Sequence, residues 1–147
     1  MLLADSNVWL ALALSTHEFH ICARDWFAKV KPAKSVLFCR VTQQSILRLL
    51  TTREVLAPYG LAALTNVAAW TTYEGFLADK RIGWANEPRG LETVWKKLAG
   101  RPLAAPKLWT DAYLAAFAIS GGYQLVTTDK GFKQFPGLDL VVLSSKN

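Results

Sequence analysis

Three aspartates, Asp5, Asp111 and Asp129, are the residues of this chain whose type and placement could do chemistry together. Taken singly, each has an ordinary structural explanation: an acid in a helix's first turn complements the macrodipole, and an Asp ahead of Lys-Gly is common turn chemistry. As a set they mean more. Carboxylates meeting at one point cannot all stay ionised without a cation, because like charges a few ångströms apart raise one another's pKa. A hard divalent ion such as Mg²⁺ or Mn²⁺ resolves that repulsion. Such an ion held by Asp5, Asp111 and Asp129 would be able to orient a water and lower its pKa.

The elements that must position these acids are legible in local pattern. From Ala112 to Ile119 nearly every residue is apolar, which predicts a helix packed between a sheet and its neighbours. Thr110 is its expected N-cap, Asp111 falls in its first turn, and Gly121-Gly122 supplies its stop. A β-branched, apolar strand over residues 124–127 follows. The polar run Thr127-Thr128-Asp129-Lys130-Gly131 ends that strand and leaves Asp129 at its carboxyl end. The chain opens Leu2-Leu3-Ala4-Asp5-Ser6-Asn7, a short apolar run cut off by an acid, which reads as a first strand with a helix immediately behind it. In an open parallel α/β sheet, ligands bind in the crevice beyond the carboxyl ends of the strands. Asp5 and Asp129 belong on that rim, and the helix bearing Asp111 is expected to start beside it. Asn7 and Thr127 are candidates to orient the carboxylates through hydrogen bonds.

Elsewhere helices and strands alternate. A helix is expected from a Ser15-Thr16 cap through Phe19, Trp26 and Val30 to Pro32, then a strand over residues 35–38 and a helix over residues 40–50. Ser45 and Arg48 are neighbours on one face of that helix, beside Val41 and Gln44. Pro58 is expected in the first turn of a helix running through Leu61, Leu64 and Val67 to Trp70, which would offer apolar surface to a second subunit. An ill-defined strand follows near residues 81–85. Pro88 then opens a helix closed by Gly100, residues 101–106 form a loop, and residues 140–143 a last strand. The alternation implies βαβ units with right-handed crossovers. A three-layer α/β architecture results, its mostly parallel sheet of about five strands flanked by helices. A length of 147 residues predicts one domain, residues 1–147, burying roughly 68–70% of the unfolded surface.

A chain that is 52% apolar with six Trp can build a real core, which excludes a disordered polymer. The net charge of +6 favours a polyanionic partner. Most basic residues are scattered, but Arg40, Arg48, Lys107 and Lys130 lie close in sequence to rim positions. Arg40 and Arg48 are the candidates for contact with a polyanion's phosphate groups, since a guanidinium fork suits phosphate geometry. His17 and His20 are three apart, yet no third zinc-type ligand accompanies them, so they read as structural. Cys22 and Cys39 have no metal-type spacing and read as buried packing residues in a reducing compartment. The apolar run from Val8 to Leu14 follows an acid and no Lys or Arg, unlike a secretory leader, and nothing approaches the ~20 apolar residues of a membrane span. The expectation is a soluble, cytoplasmic protein.

In order along the chain, Leu2-Leu3-Ala4-Asp5-Ser6-Asn7-Val8, Cys39-Arg40-Val41-Thr42 opening the helix with Arg48, Asp111-Ala-Tyr-Leu-Ala, and Val126-Thr-Thr-Asp129-Lys-Gly-Phe132 resemble the PIN-domain ribonucleases. They are most similar to the VapC toxins of bacterial toxin–antitoxin pairs. No single motif is specific; the ordered set covers nearly the whole chain. The resemblance implies a PIN-like fold and a Mg²⁺- or Mn²⁺-dependent endoribonuclease with Asp5, Asp111 and Asp129 as its catalytic, metal-binding acids. It also implies a structured cellular RNA as substrate, a cognate VapB-like antitoxin that blocks the site, and a homodimer. The family's fourth acid is a Glu three residues after the Thr of the second motif. Ser45 stands there and supplies only a neutral oxygen. That departure carries an alternative: a PIN-like domain that binds RNA or protein with weak or no catalysis. The haloacid-dehalogenase phosphatases also begin with a strand and an Asp, but they need a second Asp where this chain has Asn7.

Overall fold

In every strand alternate side chains leave opposite faces, and here both faces are apolar. Leu3, Leu37 and Leu125 point to one side, and Ala4, Val36, Phe38 and Val126 to the other; all are buried. Such a sheet needs a helical layer on each face. A computed structural model, which describes residues 1–145, has this arrangement. Its strands are β1 (Leu2–Ala4), β2 (Val36–Phe38), β3 (Ile82–Trp84), β4 (Gln124–Thr127) and β5 (Leu140–Val142). Its helices are α1 (Ser6–Ala13), α2 (His20–Lys29), α3 (Arg40–Leu50), α4 (Arg53–Leu56), α5 (Asn66–Leu77), α6 (Leu91–Ala99) and α7 (Leu108–Gly121). The α6–α7 layer covers the Leu3 face, while α1, α3 and α5 cover the Ala4 face.

The strand order is β3-β2-β1-β4-β5, and every pairing is parallel, so the expected α/β class holds. From β1 the chain builds outward through β2 to β3, then returns to the other side of β1 for β4 and β5. The reversal falls between β1 and β4, where an α/β sheet opens its crevice. Ala4 pairs with Val126 across that junction, which places the ends of the two strands side by side. Trp9 locks α1 behind β1: its Nε1–H donates to the Ala4 carbonyl at 3.0 Å, and its ring stacks on Phe38 at 3.8 Å between centroids.

At the opposite end of the sheet, Arg81 ties the loop before β3 to the end of α2. Its guanidinium donates to both carboxyl oxygens of Asp79 (2.6 and 3.0 Å) and to the Phe27 carbonyl (3.0 Å), and lies 3.9 Å over the Phe27 ring. These hydrogen bonds hold the Asp79 carboxyl down at about 2.

Several boundaries differ from the sequence expectation. α2 begins at His20 rather than behind a Ser15-Thr16 cap, because the Thr16 hydroxyl donates to the Tyr59 carbonyl and the His17 ring accepts from the Phe19 N–H. Pro58 lies in a short 3-10 turn that Gly60 ends at φ +72°. The next helix, α5, waits for Thr65, whose hydroxyl caps the Ala68 N–H. α5 runs on past Trp70, the expected end, and takes in Tyr73 and Phe76. α7 starts at Leu108, so Thr110 is inside its first turn rather than its cap; it stops as expected, with Gly122 left-handed at φ +66°. Cys22 is half-buried, not buried like Cys39, because it borders the surface edge of α2. Among the described residues no helix is long and apolar enough to cross a membrane.

Candidate active site at the strand switch point

Asp5 is the residue at which β1 turns into α1. It caps the helix, with Oδ1 accepting from the Ser6 N–H at 2.7 Å, and only 8% of it is exposed. Thr127, the last residue of β4, is fully buried beside it. The Thr127 hydroxyl donates to Asp5 Oδ2 at 2.8 Å, and its oxygen accepts from the Asp129 N–H (3.0 Å) and from Asn7 Nδ2 (3.1 Å). Asn7 Oδ1 in turn accepts from the Thr128 N–H at 3.2 Å. One hydroxyl thus ties the carboxyl of Asp5 to the backbone that carries Asp129, across 122 residues of sequence. Asn7 and Thr127 therefore both bond at the acid rim, Thr127 to the Asp5 carboxyl itself.

Asp129 is exposed, and its Oδ1 caps the 3-10 turn of Lys130–Gln134 through the Gly131 N–H at 2.7 Å. Asp111 is half-buried in the first turn of α7. It lines an open hollow of about 440 Å³ with Lys107 and Gln134 and with Ala105 and Pro106 of the preceding loop. That loop therefore borders the acids.

Charge links the three. Burial pushes the Asp5 carboxyl up to about 6, against the pull of its hydrogen bonds from Thr127 and Ser6, and nearby Asp111 raises it further. Asp111 is itself raised, first by burial and then by Asp129. Among the described residues the ion pairs are Arg81–Asp79 and the exposed Arg24–Asp25, so none of the three rim acids has a cationic partner. Carboxylate oxygens flanked by the amide and hydroxyl oxygens of Asn7 and Thr127 are the donor chemistry of a hard divalent ion, and in that sense the residues fit one. They are not gathered as a closed cage: among the described residues no three His, Cys, Asp or Glu side chains stand close enough to hold one ion together. The acids form a chain of neighbours, Asp5 to Asp111 to Asp129.

The other candidates separate. Arg40 opens α3 at the carboxyl end of β2, on the same rim, where its guanidinium lies 4.7 Å from the Trp84 ring centroid and donates to Gln43. Arg48 faces a different hollow, between α3 and α5, with Leu47, Thr51 and Trp70. Ser45, half-buried on α3, lies between them in sequence. His17 stacks on Tyr59 at 4.6 Å, and His20 Nδ1 is 2.8 Å from the Ala11 carbonyl, so both are held as structural groups. An aromatic groove of about 350 Å³, lined by Arg40, Glu87, Trp95, Trp109 and Tyr113, escaped the sequence reading. Its available signal was Trp109 and Tyr113 four residues apart on a helix, straddling Asp111.

A family model described as the PIN domain matches residues 2–138. Ribonuclease VapC41 of Mycobacterium tuberculosis is 53% identical over 145 residues, covering 98% of this chain and 99% of the relative. Among solved structures, a chain of the DNA-bound VapBC of Salmonella typhimurium superposes with a TM-score of 0.66 at 14% identity, covering 96% of each chain. The sarcin-ricin-loop-cleaving toxin VapC20 of Mycobacterium tuberculosis does so with a TM-score of 0.61 at 18% identity, covering 94% of this chain and 98% of that one. At those identities the structural likeness bears on the fold.

Proposed function

Because the chain belongs to the PIN-domain family, we propose that it is a divalent-metal-dependent endoribonuclease, the toxin of a toxin–antitoxin pair, folded as one domain over residues 1–147. The observation that carries the chemistry is a row of carboxyls, Asp5 after β1, Asp111 in the first turn of α7 and Asp129 after β4, with no ion-pair partner among the described residues, in a chain of net charge +6. Asp5, Asp111 and Asp129 are the residues to hold Mg²⁺ or Mn²⁺. Such an ion, when bound, activates water and neutralises charge on the attacked phosphate. The chain's own part is orientation. The Thr127 hydroxyl and the Ser6 N–H fix both Asp5 oxygens, Asn7 braces the β4 end, and Arg40 offers its guanidinium to backbone phosphate along the rim. The substrate class is structured RNA and the regulatory partner a VapB-like antitoxin. The assembly is a homodimer, for which α5 exposes Val67 and Trp70. The compartment is the cytoplasm.

The test is direct. Chelator-stripped protein is incubated with ribosomal RNA, with and without Mg²⁺ or Mn²⁺, and the products are mapped. Discrete cuts that need the added ion and vanish in Asp111→Asn support the reading; cutting that ignores both sinks it. Ser45 and the open arrangement of the acids favour a second reading, binding without cutting. RNA binding at normal affinity with no ion-stimulated cleavage would establish that instead.

A further inference from the structure

The aromatic groove on the acid rim has no role in the chemistry above, yet it is costly to maintain. Trp109 is 55% exposed and Trp84 37% exposed, on a protein whose other rim aromatics are packed. Neither is loose. Trp95 stands edge-on to Trp109 (6.0 Å, 80°) and to Tyr113 (5.4 Å, 86°), and donates its indole N–H to the Trp109 carbonyl at 3.0 Å. Trp84 is held by its own N–H to Asn86 Oδ1 at 2.9 Å and by Arg40 across its ring. The result is rigid aromatic surface left facing outward.

We infer that this groove is a docking subsite for an unpaired base of the RNA, next to the phosphate presented to the acids. The inference rests on the nucleic-acid reading of the rim and deepens it by naming the form of substrate. Position argues first: Trp109 and Thr110 line the groove from the first turn of α7, and Asp111 lines the neighbouring hollow from that same turn, so the two open beside one helix end. Chemistry argues next. A base has a π-face to stack, and Arg40 sits where the adjoining phosphate needs a cation. Glu87 occupies the groove with its carboxyl oriented by the Tyr113 hydroxyl at 2.8 Å. That acid repels phosphate and accepts from base N–H groups, so it admits the base edge and keeps the backbone on the Arg40 side. A paired base cannot use the site, because its faces are already covered within the helix; a loop or bulge can splay one out.

The experiment uses the full chain in chelator, so that nothing is cut, with a short fluorescein-labelled single-stranded oligoribonucleotide and a blunt-ended, fully paired RNA duplex of the same length. Trp109→Ala should weaken the single strand about tenfold, leave the duplex unchanged, and leave the salt dependence unchanged because no phosphate contact is removed. Trp109→Phe should recover most of the loss, which a folding defect would not. Equal weakening of strand and duplex, or no weakening of either, overturns the proposal. So does intact RNA binding with a shift from dimer to monomer, or with loss of antitoxin capture, which would make the groove a protein surface. A chain that binds single strands through Trp109 but never cuts would refute the nuclease and keep the subsite. A chain that cuts, with Trp109→Ala silent on the strand, would do the reverse.

Discussion

At the entry to β3, Asp79 meets the two-pronged guanidinium of Arg81 and its carboxyl is held at about 2; at the exit of β1, Asp5 meets only neutral donors and its carboxyl is pushed up to about 6. Both are aspartates at strand ends, and both have hydrogen bonds. The difference is the cation. A carboxylate with its own Arg is satisfied by the fold and serves the fold. Asp5 is buried and fastened without an ion-pair partner among the described residues, and burial with nearby Asp111 disfavours its charged form at the place where β1 and β4 diverge.

The sharpest way to break this comparison is to remove the charge at Asp5. Asp5→Asn should lower ion-dependent RNA cleavage by at least about 100-fold while the chain still folds. Undiminished cleavage would put Asp5 in the same structural class as Asp79.

Stability against pH separates the two ends next, and in opposite directions. Asp5 has a folded pKa of about 6, above its ordinary 3.8. Its contribution is fully present below 3.8 and is lost as pH rises through about 6, by on the order of 3 kcal/mol at most. Asp79 is depressed, so its contribution is present above 3.8 and is lost as pH falls towards about 2. In chelator, Asp5→Asn should therefore melt higher than wild type at pH 7.5, a difference that shrinks near pH 4, measured by calorimetry. An equal shift at both values would mean that burial, not ionisation, sets the cost.

Supplying more negative charge tests the same site from the other side. Ser45→Glu should bind Mn²⁺ about tenfold more tightly, be less stable in chelator, and regain more stability when the ion is added. Titration calorimetry showing equal affinities would mean that position 45 does not face the acids.

The smallest effect concerns the two arginines. Arg40→Ala should weaken RNA binding and flatten its salt dependence by about one unit of slope or less. Arg48→Ala, altering a hollow between α3 and α5, should leave that slope alone. A matching drop for both would join them in one phosphate track after all.

Much of this molecule was readable because its signals are local. Asp5 and Asp129 could be placed at strand ends from a few apolar residues stopped by an acid, and the span of α3, residues 40–50, from amphipathic spacing alone. The errors were also local signals, weighed wrongly. Pro58 suggested a helix start, while Gly60 as a stop and Thr65 as a cap marked the true boundary of α5. Ser15-Thr16 looked like a cap, but the Thr16 hydroxyl is engaged by Tyr59, a residue 43 positions away.

By itself, then, the sequence determined that Asp5 and Asp129 follow strands and that Asp111 falls in a helix's first turn, since apolar periodicity and turn chemistry act over a few residues and need no partner. Only the tertiary structure decided what those residues are to one another. The order β3-β2-β1-β4-β5 brought the ends of β1 and β4 together and let one Thr127 hydroxyl bind Asp5 across 122 residues. Helix rotation sent Arg40 to the acids' rim and Arg48 to another hollow, although they share α3. Folding also raised the pKa of Asp5, because a carboxyl's pKa depends on burial and neighbours in space, and neither is a property of the residues beside it in the chain.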